Sequence, residues 1–242
     1  MLRIDAHQHF WQYTPTEYGW IDDTMAALRR DFLPEHLKVE LDRAGFAGCV
    51  AVQARQTVEE TVWLLELADQ YPFIVGVVGW VDLQSQAVRA QLERFARHAK
   101  LVGIRHIVQS EPDDFLLRPE FCRGIALLEE FDLAYDILIH PRHLPQAVEF
   151  AKRFSHHRLV LDHLAKPEIR QREIRTWRQD LRRLATRENV FCKLSGLVTE
   201  AEWNRWTIAE LRPYLDVAFD CFGPKRLMIG SDWPVCTLAA DY

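Results

Sequence analysis

The chain has 242 residues, 48% of them hydrophobic and 27% charged, which suffices for one large core. Its formal net charge is -5 and it has no long basic cluster, so we expect no nucleic-acid partner. No run of about 18 apolar residues occurs, and the N-terminus has no basic segment followed by an apolar one, which argues against a membrane span and a secretory signal. We therefore expect a single cytoplasmic domain over residues 1–242 that acts on a small molecule. Composition leaves homo-oligomer formation open.

The cysteines do not form a recognisable framework. They are odd in number, widely scattered and without a Cys-x-x-Cys pair, which argues against disulfides and against a cysteine zinc site. We expect buried, reduced thiols.

Strand-like and helix-like segments alternate along the chain. Eight short apolar runs, rich in Val and Ile, each end in polar residues. They cover residues 2–9, 48–55, 74–82, 101–108, 133–140, 158–163, 190–195 and 226–232. Helical patterns separate most of them, such as Thr57 to Gln70 and Pro119 to Phe131. Eight such units at this length predict an α/β fold, a closed (β/α)8 TIM-like barrel.

One segment does not fit this regular pattern. Residues 10–34 are too long for an ordinary strand-to-helix turn and contain Trp11, Tyr13, Tyr18 and Trp20. The segment could form a lid over a site, or it could be an aromatic loop that packs on the top of the barrel.

Unusual polar residues lie at the predicted C-terminal ends of the strands, where barrels of this kind place their active sites. They are His7, His9, Gln53, Trp80, Arg105, His140, His163, Lys193 and Asp232. Any one could be a solvated strand terminus. Four histidines and an aspartate on one rim indicate a functional site, because folding gains nothing from ionisable groups there.

The histidines and the aspartate predict a metal site. His7 and His9 are two residues apart on one strand, so they point to the same side about 7 Å apart, although solvated strands also carry such pairs. Neutral imidazoles and a carboxylate suit zinc, with one position left for water. We expect one divalent ion, zinc, between His7, His9, His140 and Asp232. Asp232 could be ligand, general base, or both.

Other polar residues predict substrate contacts. Arg105 and Lys193 are cations that could hold a substrate oxygen or could pair with a carboxylate such as Asp5. Asp5 has the strand parity of the two histidines, and we expect a buried, hydrogen-bonded acid there rather than a ligand. The predicted substrate-binding residues are Trp20, Gln53, Trp80 and Lys193.

Several motifs resemble the amidohydrolase superfamily, and within it the amidohydrolase-2 branch that includes sugar lactonases. Residues 5–9 read Asp-Ala-His-Gln-His, residues 162–167 read Asp-His-Leu-Ala-Lys-Pro, and residues 230–234 read Gly-Ser-Asp-Trp-Pro. The first motif occurs across the superfamily, and the other two together point to this branch. The resemblance covers nearly the whole chain.

The resemblance implies a distorted eight-fold barrel that hydrolyses a substrate at a carbonyl group. It implies that His7, His9 and His140 surround a metal, that His163 lies near the substrate carbonyl, and that Asp232 activates water. Arg105 stands where two-metal members carry a carboxylated lysine, so we expect one metal; some members of the branch work without any. The family also continues through a final helix, which we expect this chain to lack.

The predicted reaction is the hydrolysis of a sugar-acid lactone by water attack on the ring carbonyl, with Asp232, His163 and Arg105 as catalytic residues. Two alternatives stay open. Related barrels decarboxylate unsaturated acids with a similar rim, and the chain could also be a non-catalytic small-molecule-binding barrel.

Overall fold

Eight parallel strands, hydrogen-bonded in chain order, form the centre of the computed structural model, which describes residues 2–242. The strands are β1 (Ile4–Gln8), β2 (Gly48–Val52), β3 (Ile74–Gly79), β4 (Leu101–His106), β5 (Ala134–Ile137), β6 (Leu159–Leu161), β7 (Val190–Leu194) and β8 (Leu227–Ile229). The helices are α1 (Pro34–Ala44), α2 (Val58–Gln70), α3 (Val88–Phe95), α4 (Pro119–Leu127), α5 (Leu144–Arg153), α6 (Arg175–Ala185), α7 (Leu197–Glu200) and α8 (Ile208–Phe222). The predicted (β/α)8 barrel is confirmed. Among the described residues, no helix is long and apolar enough to cross a membrane.

The helices begin where the sequence places their capping residues. The Thr57 hydroxyl accepts a hydrogen bond from the Glu60 backbone N–H at 3.2 Å, which starts α2. Pro119 occupies the first turn of α4, where its missing N–H costs nothing. Thr207 and Glu210 form a reciprocal capping box at the start of α8.

The strands are shorter than the apolar runs that predicted them. β5 ends at Ile137 and β6 at Leu161, so the polar residues that follow lie in loops above the barrel. Backbone hydrogen bonds close the ring between the end of β1 and the loop that follows β8. The His9 N–H donates to the Trp233 carbonyl at 2.7 Å, and the Asp232 N–H donates to the His7 carbonyl at 2.8 Å.

The segment of residues 10–34 packs on the top of the barrel. Trp11 and Tyr18 are fully buried, and the Trp11 ring meets the Tyr18 and Phe32 rings with centroids 5.6 and 5.3 Å apart. Trp20 is 43% exposed at the cavity mouth. The segment is therefore an aromatic loop packed on the top of the barrel, as the second interpretation had it, and it also forms one wall of the site.

Candidate active site

A cavity of about 520 Å³ opens at the C-terminal ends of the strands. Its floor contains His9, Arg105, His163 and Asp232. Its walls are formed by Trp11, Trp20, Met25, Ala54, Gln56, Ile107, Gln109, Ser110, Leu138, Lys166, Thr199, Glu200, Trp203, Val235 and Leu238. The site thus lies where the barrel fold predicts it.

Two imidazoles and a carboxylate meet at the floor. The Nε2 atoms of His7 and His9 are 3.2 Å apart. Oδ1 of Asp232 lies 3.4 Å from Nε2 of His9 and 3.8 Å from Nε2 of His7. These three side chains are the predicted metal-ligand group, apart from His140.

Hydrogen bonds to the second ring nitrogen of His9 and to the backbone of His7 hold this group in place. Nδ1 of His9 lies 2.7 Å from the Val52 carbonyl oxygen, to which it can only donate, so Nε2 is left as a lone-pair donor. The Asp5 carboxylate accepts from the His7 N–H at 3.1 Å and from the Ser231 hydroxyl at 2.6 Å, which ties β1 to the loop after β8. Asp5 is the buried, hydrogen-bonded acid that its strand position predicted.

Asp232 is held ionised. It is 4% exposed, and burial alone would raise its pKa, but His163, His9 and His7 together lower the pKa below its ordinary value. Burial lowers the pKa of His7 well below 6.5 and that of His163 to about 4, in spite of nearby carboxylates. Neutral imidazoles beside a carboxylate anion are the protonation states that a metal requires.

The donor atoms of this group fit a divalent ion. Two ligands of a tetrahedral zinc, each bonded at about 2.0–2.1 Å, lie about 3.3 Å from each other. The separations of 3.2, 3.4 and 3.8 Å between donor atoms of His7, His9 and Asp232 are close to that value. The arrangement therefore supports a divalent-metal site formed by these three residues.

His140 does not join them. Within residues 2–242, two groups of side chains have possible ligand atoms within 4.8 Å of one another: His7 with His9 and Asp232, and His7 with Asp162 and His163. β5 ends three residues before His140, which caps the short helix at Pro141–His143, its own N–H donating to Nδ1 of His143 at 3.2 Å. The prediction of His140 as a metal ligand relied on a strand that continues to residue 140, and the structure does not support it.

Lys193 lies beneath the site instead of facing substrate. Its Nζ pairs with the Asp136 carboxylate and lies 3.0 Å from Oδ1 of Asp162 and 3.3 Å from Nδ1 of His7. All four side chains are at most 3% exposed. Burial alone would lower the pKa of Lys193, but the two carboxylates raise it. Lys193 does not line the cavity, because this ionic layer encloses it, so its position does not support the predicted substrate contact.

Arg105 belongs to both the ionic layer and the cavity. Its Nη1 lies 3.1 Å from Oδ2 of Asp162 and 3.3 Å from Nε2 of His7, and its Nη2 donates to the Gln53 carbonyl. Of the two roles that the sequence left open, the ion pair is present, with Asp162 rather than Asp5, and the side chain also lines the cavity floor.

His163 stands on an unusual backbone. Residues 163–166 all have positive φ, between 51° and 59°, which costs roughly 1–2 kcal/mol for each L-residue. Nδ1 of His163 lies 2.8 Å from the Ser195 hydroxyl, and Nε2 lies 3.7 Å from Oδ1 of Asp232. The anionic carboxylate favours the proton on Nε2, so the Ser195 hydroxyl donates to Nδ1 and an N–H faces the cavity.

The three other predicted substrate-binding residues differ in whether they line the cavity. Trp20 lines the cavity. Gln53 is fully buried, and its Nε2 donates to the Arg105 carbonyl at 3.3 Å, so it supports the arginine. The Trp80 backbone N–H and carbonyl both bond the Thr61 hydroxyl, and Trp80 does not line the cavity.

The sequence analysis did not identify Asp136 and Asp162 as members of the site. A carboxylate inside an apolar run of a parallel barrel strand, as in Ala134–Ile137, must find a buried partner, so Asp136 carried a readable signal. Lys166 and Glu200 on the cavity wall were also missed as site residues. Lys166 lies in the motif at residues 162–167, which was a signal for it, whereas nothing in the local sequence of Glu200 separates it from a surface charge.

The amino-acid sequence is similar to those of known hydrolases. Residues 4–242 match the amidohydrolase family. An L-fucono-1,5-lactonase from Burkholderia multivorans is 44% identical over 252 residues, covering 100% of this chain and 85% of that protein. A crystal structure of an amidohydrolase from the same species, with bound zinc, has a TM-score of 0.96 at 45% identity, covering 100% of this chain and 88% of the other.

A 2,6-dihydroxybenzoate decarboxylase shares the fold alone, with a TM-score of 0.67 and 14% identity over 99% of this chain and 91% of its own. The match along residues 4–242, together with the histidine pair of β1 and the aspartate after β8, identifies the chain as a member of the amidohydrolase family.

Proposed function

We propose that the protein hydrolyses the lactone of a sugar acid with a five- or six-membered ring. The observation that carries the proposal is the ionised Asp232 on the cavity floor, 3.7 Å from Nε2 of His163 and within reach of the His7–His9 pair. The 44% identity to an L-fucono-1,5-lactonase supports this substrate class.

The roles of the residues follow from their atoms. Asp232 accepts the proton of the attacking water as general base, because its carboxylate is ionised and faces the cavity. His163 donates from Nε2 to the carbonyl oxygen of the lactone, where negative charge develops. The ring C–O bond then breaks, and the proton taken up by Asp232 passes to the leaving ring oxygen, which gives a hydroxy acid.

His7, His9 and Asp232 would hold the metal, which we propose to be zinc. When bound, such an ion polarises a carbonyl oxygen and lowers the pKa of water. Arg105 adds a fixed positive charge beside His7, and Asp162 keeps that guanidinium oriented.

Decarboxylation of an unsaturated acid is less well supported. A substrate carboxylate needs a cation that no protein carboxylate already neutralises. The Arg105 guanidinium pairs with Asp162, and the Lys166 ammonium lies 3.7 Å from the Glu200 carboxylate. Glu200 also lines the cavity and would repel an anionic substrate. A neutral polyhydroxylated ring meets neither obstacle.

The decisive experiment measures proton release in weak buffer from a panel of aldonolactones, a simple amide and an unsaturated carboxylic acid. We expect turnover of at least one aldonolactone well above the uncatalysed rate. Turnover of the amide or loss of carbon dioxide from the acid, with no aldonolactone turned over, would contradict the proposal.

A further inference from the structure

Lys166 and Glu200 form a charged pair in the cavity wall that the proposed reaction does not use. Nζ of Lys166 lies 3.7 Å from Oε1 of Glu200, and the two side chains are 21% and 23% exposed. Both line the same cavity as Asp232 and His163. A substrate whose carbonyl group lies at Asp232 and His163 would therefore share this cavity with the pair.

The left-handed turn places Lys166 there. The Lys166 N–H donates to the His163 carbonyl at 2.7 Å, so the turn closes over three residues and brings Lys166 one turn beyond His163. The Trp177 indole N–H donates to the Leu164 carbonyl at 2.7 Å, and the Leu164 side chain is fully buried. These contacts hold a conformation that an L-residue rarely adopts.

The position of Glu200 is equally fixed. It is the last residue of α7, and its carbonyl accepts the Arg170 N–H at 3.1 Å. The backbone is thus held at both residues, which fixes the points from which the two side chains reach the cavity.

The two head groups have free hydrogen-bonding capacity. Among residues 2–242, neither the Lys166 ammonium nor the Glu200 carboxylate has a hydrogen-bond partner within 3.5 Å, and the ion pair between them is longer than a hydrogen bond. An ammonium group only donates and a carboxylate only accepts. Two adjacent hydroxyl groups, each both donor and acceptor, are the groups that satisfy such a pair.

We propose that Lys166 and Glu200 form the subsite that holds neighbouring ring hydroxyl groups of the substrate, an inference that rests on the proposed lactone hydrolysis. The Glu200 carboxylate accepts from the two hydroxyls, and the Lys166 ammonium donates to an oxygen of the same pair. The Trp203 side chain lines the cavity beside Glu200 and provides an apolar surface for the ring. The pair therefore determines which lactones are chosen, while Asp232 and His163 carry out the reaction.

The experiment compares kcat/KM for a hydroxylated 1,5-aldonolactone with that for δ-hexanolactone, which has the ring but no ring hydroxyl. We expect Glu200→Gln to reduce the ratio of the two constants by about 10- to 100-fold, the usual effect of losing hydrogen bonds to a charged group. Lys166→Met should reduce the same ratio independently. Glu202→Gln makes the same chemical change at an exposed position two residues away and should preserve the wild-type ratio.

The outcomes separate the two proposals. If wild-type protein turns over no lactone, the proposed function fails and the subsite fails with it. If it turns over both rings equally well, the lactonase stands and the subsite is wrong. An unchanged ratio in Glu200→Gln, or an equal loss on both substrates, would show that the pair only supports the structure. Glu200→Asp keeps the charge and covers the case in which Glu200→Gln does not fold.

Discussion

Nζ of Lys193 lies 3.3 Å from Nδ1 of His7, while Nε2 of the same ring lies 3.2 Å from Nε2 of His9. The His7 imidazole therefore connects a buried ionic layer to the predicted metal-ligand group. A ligand histidine usually owes its orientation to the partner of its other nitrogen, and here Asp162 and Lys193 lie against that nitrogen. The layer beneath the site is thus part of what orients the site.

Lys193→Met should destabilise the protein strongly. It leaves Asp136 without its cation at 2% exposure, and breaking a buried pair in this way costs about 3–5 kcal/mol. Urea unfolding measures the loss, and adding Asp136→Asn should recover part of it. Lys38→Met breaks an exposed pair with Asp42 and should cost less than about 1 kcal/mol. An equal loss of unfolding free energy in Lys193→Met and Lys38→Met would show that the buried ion pairs stabilise the protein no more than an exposed pair does.

Gly196→Ala should lower kcat, whereas an alanine at a comparable glycine away from the site should lower only the free energy of unfolding. An ideal Cβ at Gly196 lies 2.6 Å from Nδ1 of His163, so the ring must move away from Ser195. Gly45→Ala is the matched control, because Gly45 also has positive φ but its Cβ would meet only the end of the Arg3 side chain at 3.7 Å. Both variants incur a backbone cost of about 1–2 kcal/mol, and only the first should lose kcat. Wild-type kcat in Gly196→Ala would contradict the contact.

The sequence predicted the order of strands and helices because each strand's apolar run and each helix cap is a local signal. It also predicted that His7, His9 and Asp232 converge, since it placed the two histidines on the first strand and the aspartate at the end of the eighth. These three met the prediction because β1 and β8 close the barrel through backbone bonds near these residues.

The positions of the other site residues depend on tertiary contacts that no local sequence pattern encodes. His140 was misplaced because the apolar run continues past Ile137 although the strand does not. Lys193 could not be separated from a substrate-binding cation, because its depth in the barrel is set by where Asp136 and Asp162 meet it. The left-handed turn at residues 163–166 contains no glycine that would have predicted positive φ. It is stabilised by a hydrogen bond from Trp177, eleven residues beyond the turn in the sequence.

Metal content should separate true ligands from neighbours. Protein purified without chelators should carry about one equivalent of a divalent ion, which we expect to be zinc. His9→Asn removes a donor and should lower the bound metal severalfold, while His140→Asn should retain it. Elemental analysis of both variants against wild type gives the answer. Loss of metal in His140→Asn at a normal level in His9→Asn would overturn the ligand assignment.

Acid stability should depend on His140. Burial, together with Lys166, Arg142 and His143, lowers its folded pKa to about 4, below the 6.5 of the unfolded chain. The unfolded state therefore binds the proton first, and stability is lost as pH falls from 6.5 towards 4. Because His140 is partly exposed, solvent screening reduces the loss to about 1 kcal/mol at pH 5. Urea unfolding at pH 7 and pH 5 should show a smaller loss for His140→Asn than for wild type. His156→Asn, at an exposed position, should behave like wild type. Identical pH dependence in all three proteins would contradict the assignment.

Asp232→Asn tests the proton-transfer step. Asp232 is the carboxylate of the cavity floor, it is held ionised by three histidines, and its backbone is fixed by the bond from its N–H to the His7 carbonyl. The asparagine side chain fills the same space without a base, so turnover should fall by on the order of 10² to 10⁴ while the fold survives.

Asp241→Asn, an exposed change nine residues further along the chain, should leave turnover as in wild type. Metal content measured on the same samples of Asp232→Asn distinguishes the two roles of the residue. A loss of metal that matches the loss of turnover would make Asp232 mainly a ligand, whereas retained metal with lost turnover identifies the base. Wild-type turnover in Asp232→Asn would remove the residue from the mechanism, and the proton would then have to pass to His163, whose low pKa makes it a weak base.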